Sequence, residues 1–195
     1  MSKSPHLKVI FKKGFTLLEV LTAAAIAFVL LTALYTTFVA GTRSYRSTVN
    51  QAELAQNGRI ALERISRDIR QTDEIVTTIP PTKDDLLNPP PNKILFQDGH
   101  STTSIRYIEY RQDGNLLKRR TLHYSFSSSP STWVLWNAQD QFNNPPTEHQ
   151  DSEEIKADKI SSLKFYGSNI VTIDLVINGS NQTIYLKTEA LARNI

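Results

Sequence analysis

Lys12-Lys13-Gly14-Phe15-Thr16-Leu17-Leu18-Glu19-Val20 joins a basic N-terminus to a long apolar segment. The chain carries no charged residue from Val20 to Thr42. Those 23 positions make about 35 Å of helix, enough to cross a bilayer core of roughly 30 Å. Glu19 lies just inside the front edge of the segment, and two lysines lie just outside it. A carboxylate at that depth is costly to bury and requires a partner.

Working outward, residues 1–14 are basic and end in Gly14. A secretory signal peptide requires an apolar core of about 7–15 residues followed by a small-x-small site. Here the apolar run is longer, and Val39-Ala40-Gly41 is a poor site. A plain membrane anchor fits the length, and the lysines would hold the N-terminus in the cytoplasm. Neither reading accounts for Glu19 or for the residues around Gly14.

Gly14-Phe15-Thr16-Leu17-Leu18-Glu19 after two lysines resembles the class III signal of type IV pilins and type II secretion pseudopilins. The resemblance implies cleavage between Gly14 and Phe15 by the prepilin peptidase and N-methylation of the new Phe15 amine. The apolar helix is then retained as the assembly element. Gly14 offers a protease an unobstructed carbonyl. The cut would leave a cation at Phe15 and an anion at Glu19, which attract strongly in low dielectric. The family assigns Glu19 to assembly, through the Phe15 amine of a neighbouring subunit. The competing reading is an interfacial acid reaching the headgroups.

Thr22, Ala23, Ala24, Ala25, Ala27, Thr32, Ala33, Thr36 and Thr37 are small, which lets apolar helices approach closely. No proline occurs from Phe15 to Ile79. Many major pilins kink there at a proline, so its absence favours a minor pilin or pseudopilin. Beyond Gly41, Tyr45, Val49, Leu54, Ala61, Leu62, Ile65 and Ile69 recur at three- and four-residue steps. Arg46, Glu53, Arg59, Glu63, Arg64, Arg67, Asp68 and Arg70 fill the other faces. This predicts an amphipathic helix ending near Thr72–Val76, with Glu63–Arg67 and Arg70–Glu74 as i,i+4 pairs and Gly58 as a soft spot. The stretch from Gln56 to Gln71 further resembles J-type minor pseudopilins and W-type minor pilins.

Pro80 to Pro91 holds five prolines and Asp84-Asp85, and reads as a connector that Leu86 and Leu87 could pin to the surface. From Asn92 the period falls to two. Strands are expected at Lys93–Phe96, Thr103–Arg111, Leu116–Phe126, Thr132–Trp136, Ile160–Tyr166, Ile170–Ile177 and Gln182–Leu191, with Gln139–Gln150 a loop. Turn signals fall at Gln112-Asp113-Gly114-Asn115 and Asn178-Gly179-Ser180-Asn181. The expected architecture is α+β and pilin-like: a long N-terminal helix, hydrophobic then amphipathic, on one antiparallel sheet of about six or seven strands. The divisions are 1–14 leader, 15–42 transmembrane and assembly helix, 43–77 amphipathic continuation, 78–91 connector and 92–195 soluble β-rich domain.

Composition narrows the chemistry. Of 22 Lys and Arg residues, Lys3, Lys8, Lys12 and Lys13 precede Phe15 with no acid among them; without them the balance against 19 acids is about −1. The basic excess therefore belongs to the leader and makes no case for nucleic acid. There is no cysteine, which excludes disulfides, thiol catalysis and thiolate metal sites. His6, His100, His123 and His149 have no zinc spacing. Asp151, Glu153 and Glu154 crowd together but match no calcium loop, and a solvated acidic turn is preferred. Lys118-Arg119-Arg120 could touch DNA or lipid headgroups, on the weak ground of one short run. Trp133, Trp136 and Tyr124 read as core rather than a binding surface. No serine sits in G-x-S-x-G, and there is no nucleotide loop. The reading is a filament subunit with no enzyme activity, cofactor or metal. Its partners would be the prepilin peptidase, other pilins or pseudopilins, the inner-membrane assembly platform and membrane lipid. It would cross the cytoplasmic membrane once, N-terminus inside, and then pass to a pilus or pseudopilus, periplasmic or at the cell surface. A tip adhesin or DNA-uptake subunit, and a plain bitopic membrane protein, stand as alternatives.

Overall fold

In the computed structural model, which describes residues 14–99, 104–179 and 182–192, the chain divides into two compact units, Met1–Thr48 and Val49–Ile195. One helix, α1, runs Leu17–Arg70, and eight strands follow. The layout is α+β, pilin-like, with antiparallel sheets throughout.

In the first unit, the side chains of α1 find no core. Phe15 is 87% exposed, and Leu18, Phe28, Leu31 and Phe38 are likewise bare. In the second unit, Leu54, Gly58, Ala61, Leu62, Ile65 and Ile69 of α1 are buried. Their three- and four-residue spacing draws one stripe along the helix, which joins the sheet residues in a single core. Ile65, Ile69, Phe96, Tyr110, Phe165 and Leu175 are fully buried there. Each such side chain contributes roughly 1.5–3 kcal/mol of transfer free energy. Tyr45, expected on this stripe, is 72% exposed. Gly58 is no soft spot. A Cβ built on it would lie 2.4 Å from Leu186 Cδ1 and 2.5 Å from Ile177 Cδ1, so its bare backbone is what lets α1 approach the strands.

The helix stops at Arg70, earlier than its charge pattern suggests. The amides of Gln71 and Thr72 close on Asp68 and Ile69 carbonyls at i−3, tightening the last turn. Ile75-Val76-Thr77 then turns to strand-like pairing. Val76 and Thr77 amides donate to the Leu95 carbonyl, and the Gln97 amide donates to that of Glu74. A run of β-branched residues beside an open strand edge pairs more readily than it continues a helix.

The strands form two sheets rather than one. The first orders β1 (Lys93–Gln97), β2 (Tyr107–Asp113), β3 (Leu116–Phe126) and β4 (Ser129–Val134), with β5 (Thr147–Ala157) on the other side of β3. The second orders β6 (Ile160–Tyr166), β7 (Ile170–Asn178) and β8 (Thr183–Leu191). β2 and β3 meet through Gly114-Asn115, with Gly114 at φ 58, the left-handed geometry a tight hairpin demands. Amides of Ile160 and Phe165 on β6 donate to carbonyls of Asn115 and Pro91, which holds the second sheet beside the first.

β5 occupies positions read as a loop and an acidic turn. Nine of its eleven residues are exposed, so no apolar alternation marks it. The connector is held by Lys83 to Asp174 at 2.7 Å and by the Gly167 amide on the Pro80 carbonyl. Leu86 and Leu87 pin nothing: they are 96% and 99% exposed. Of the expected elements, the start of the second strand at Thr103 and the end of the last turn lie outside the described residues.

Candidate assembly site

The first helical turn is closed by its own sequence. Glu19 Oε2 accepts from the Thr16 amide at 2.8 Å and from the Thr16 hydroxyl at 3.1 Å. The Glu19 amide donates back to Thr16 Oγ1 at 3.3 Å. Thr16-Leu17-Leu18-Glu19 is thus a capping box, with Thr16 at the N-cap and Glu19 three residues on. The carboxylate also lies at the positive end of the helix dipole. These contacts supply part of the partnership that an acid in an apolar setting requires, without any second molecule. The S/T-x-x-E spacing was legible in the sequence. Gly14 has no atom within 4 Å of where a Cβ would stand, and Phe15 is open to solvent.

Along the apolar segment the threonine hydroxyls turn inward. Thr22, Thr32, Thr36 and Thr37 donate to the carbonyls of Glu19, Phe28, Ala33 and Ala33, at 2.8–3.0 Å. Each hydroxyl is therefore satisfied within the helix, and the surface it leaves is methyl. Among the described residues, α1 is one helix long and apolar enough to cross a membrane, and none of its most apolar window is buried.

Residues 11–35 match the family model for the prokaryotic N-terminal methylation motif. The match supports a type IV pilin or pseudopilin family. No curated protein matches the chain. The motif points to a structural, pilin-type subunit, and implies processing by a prepilin peptidase and assembly with other pilins. An apolar helix behind such a signal fits a membrane-anchored pilin.

The remaining charged candidates are engaged elsewhere. Lys118 meets Asp113 at 2.6 Å and Glu153 at 3.3 Å. Lys118 holds the Asp113 carboxyl below its usual range. Arg119 Nε donates to Asp68 at 3.1 Å, and Arg120 lies 2.8 Å from Glu109. Lys118 and Arg120 thus join a cross-strand ladder, Arg119 turns to α1, and none of the three makes a free basic surface. The acids of β5 complete it: Asp151 accepts from His123 at 2.7 Å, Glu153 from Arg111 at 2.7 Å, and Glu154 pairs with Lys156. Among the described residues, no cluster of His, Asp or Glu could hold a metal ion. His6 and His100 lie outside those residues.

The aromatic trio is half-buried, not core. His123 stacks between Trp133 at 4.4 Å and His149 at 5.2 Å, and Arg106 lies 5.3 Å from the Trp133 ring. Tyr107 packs edge-on against Tyr124 and accepts from the Trp136 amide at 3.1 Å. Burial, then the neighbouring Glu148, push the Tyr124 phenol up to about 12.

Asp68 departs most from its sequence reading. Placed among the polar faces by its charge, it is 8% exposed. Its Oδ2 accepts from Tyr110 Oη at 2.8 Å and from Arg119 Nε at 3.1 Å. Burial, then Asp68, push the Tyr110 phenol well up. The three groups tie the end of α1 to β2 and β3. They lie 42 and 51 residues apart along the chain, so no short motif announces them.

Proposed function

We propose that the chain is a minor pilin or minor pseudopilin, cut between Gly14 and Phe15 by the prepilin peptidase, N-methylated at Phe15 and assembled through its N-terminal helix. The observation that carries this is the motif match over residues 11–35, which falls on Gly14, Phe15, Glu19 and the head of an apolar helix with no burial of its own. The proposed divisions are a leader over 1–14, a transmembrane and assembly helix over 15–42, its amphipathic continuation over 43–77, a connector over 78–91 and a soluble β-rich domain over 92–195. The unkinked sequence to Ile79 and the likeness from Gln56 to Gln71 support the minor class.

Glu19 has two states in this account. In the single chain, Thr16 holds it. In the filament, it exchanges part of that contact for the methylated Phe15 amine of a neighbour, which keeps its positive charge. An ion pair in low dielectric is far stronger than the same pair in water, so the exchange favours the packed bundle over the lone helix. Two substitutions separate charge from capping. Glu19→Gln keeps a capping-box residue and removes the charge; Glu19→Ala removes both. Both variants should be cleaved after Gly14 and both should enter filaments poorly, as read by immunoblotting of sheared filaments. Native-level incorporation of Glu19→Gln would show that capping is the whole role of this acid.

A further inference from the structure

Most strand edges of the second unit are closed. The outer side of β1 is taken by residues 74–77, and β6 donates to Pro91 and Asn115 carbonyls. β4 has six residues and contains Pro130. β5 is broken by two register shifts and lined with acids, the usual protection of an edge. β8 carries Lys187 and Glu189 but no proline and no cover along its outer side among the described residues. It pairs with β7 from Ile170↔Leu191 to Asn178↔Thr183 without a shift. Its other side carries no backbone hydrogen bond among the described residues.

Beside this bare edge, between α1 and Leu186–Thr188, runs a groove of about 460 Å³. Arg59, Arg67 and Arg70 line it from the helix, with Glu63 the one acid. The expected Glu63–Arg67 pair is not made, and none of the three arginines has an ion-pair partner among the described residues. Ser66 lies on the same helix face, is 4% exposed and lines the groove. Its Oγ has no hydrogen-bond partner. Arg59 to Arg70 covers about 17 Å of helix, the length of roughly five strand residues.

We propose that the β8 edge and this arginine-lined groove take up an extended acidic peptide strand of another protein, as a fourth strand of the sheet. Main-chain hydrogen bonds to β8 supply the affinity, and carboxylates on alternate residues meet the arginines in charge-assisted pairs. Charge complementarity selects the acidic partner: three guanidinium groups with no ion-pair partner among the described residues, and the Ser66 hydroxyl, line the groove beside β8. The inference does not depend on processing at Gly14, so its failure leaves that reading untouched.

The probe is a fluorescent nine-residue peptide of alternating Glu and Thr, matched in length to β8, titrated against the full chain in detergent and read by anisotropy. The acidic peptide should bind. An alternating Lys and Thr peptide should not, nor should the acidic peptide N-methylated at alternate amides, which keeps its charge but cannot pair along an edge. The triple variant Arg59→Gln, Arg67→Gln, Arg70→Gln should lose about tenfold or more in affinity. Its three sites are exposed, and an unchanged urea midpoint would show that it folds. Equal binding of the N-methylated peptide, or undiminished binding by the arginine variant, would overturn the proposal, as would absence of binding. Self-association of the chain that the peptide fails to displace would assign the edge to a second copy and overturn it too.

Discussion

Removing the carboxylate of Asp68 is the sharpest test of how the end of α1 is fixed. Asp68→Ala leaves the Tyr110 hydroxyl fully buried without its acceptor and Arg119, 16% exposed, without its counter-charge. A hydrogen bond to a charged group contributes about 1.5–3 kcal/mol, and breaking a buried pair by deleting one member costs about 3–5 kcal/mol. Arg119 retains some water, so about 3 kcal/mol is expected. With a urea slope of about 1–3 kcal/mol/M, the midpoint should fall by roughly 1–3 M. Tyr110→Phe should cost about 1–2 kcal/mol, and the double variant should cost less than the sum by about 1 kcal/mol, because the two groups share one bond. Replacing all three by Leu, Phe and Met should bring stability back to within about 1 kcal/mol of native, since a buried charge cluster is costly to desolvate. The assay is urea unfolding of the full chain in detergent. Trp133 and Trp136, its two tryptophans, both report on the second unit. A midpoint shift below about 0.3 M for Asp68→Ala, or strict additivity with Tyr110→Phe, would refute the reasoning.

Three further outcomes follow from the same structure. The Tyr124 phenol titrates near 12 in the folded chain against about 10 unfolded, so its contribution is intact below pH 10 and is lost as pH climbs from 10 to about 12; alkaline unfolding should steepen there, and less so in Tyr124→Phe. Gly58→Ala gains about 1 kcal/mol of helix propensity but pushes a methyl into Leu186 and Ile177, so it should destabilise by about 1 kcal/mol in urea, and become neutral or stabilising once both Leu186 and Ile177 are Ala. Because Lys118, Arg119 and Arg120 are all paired with carboxylates, the chain should shift no DNA in a gel at physiological salt, and Lys118→Gln with Arg120→Gln should lower the urea midpoint while leaving that result unchanged.

What was legible followed one rule: residues whose neighbours are local could be read. The spacing of Leu54, Ala61, Leu62, Ile65 and Ile69 marked the buried face of α1 because a helix meets its core every three or four residues. β3 and β6 fell at their expected limits because a glycine turn or a polar loop bounds each of them. β5 was missed because an edge strand wet on both faces, Thr147 to Ala157, has no alternation to read. The division into two sheets was invisible for the same reason: strand order depends on pairing between distant segments. Asp68 was misassigned since charge argues for solvent, while the Arg119 that neutralises it lies on another element. Around the candidate site, the capping box of Thr16 and Glu19 is legible as a four-residue pattern, because both of its partners lie within one helical turn.

We propose that the mature chain begins at Phe15. Intact-mass and peptide mass spectrometry of the protein recovered from its native membrane tests it most directly. The expected N-terminal peptide starts at Phe15 and carries one added methyl on its amine. A mature chain still bearing Met1 and the lysines of the leader would contradict it.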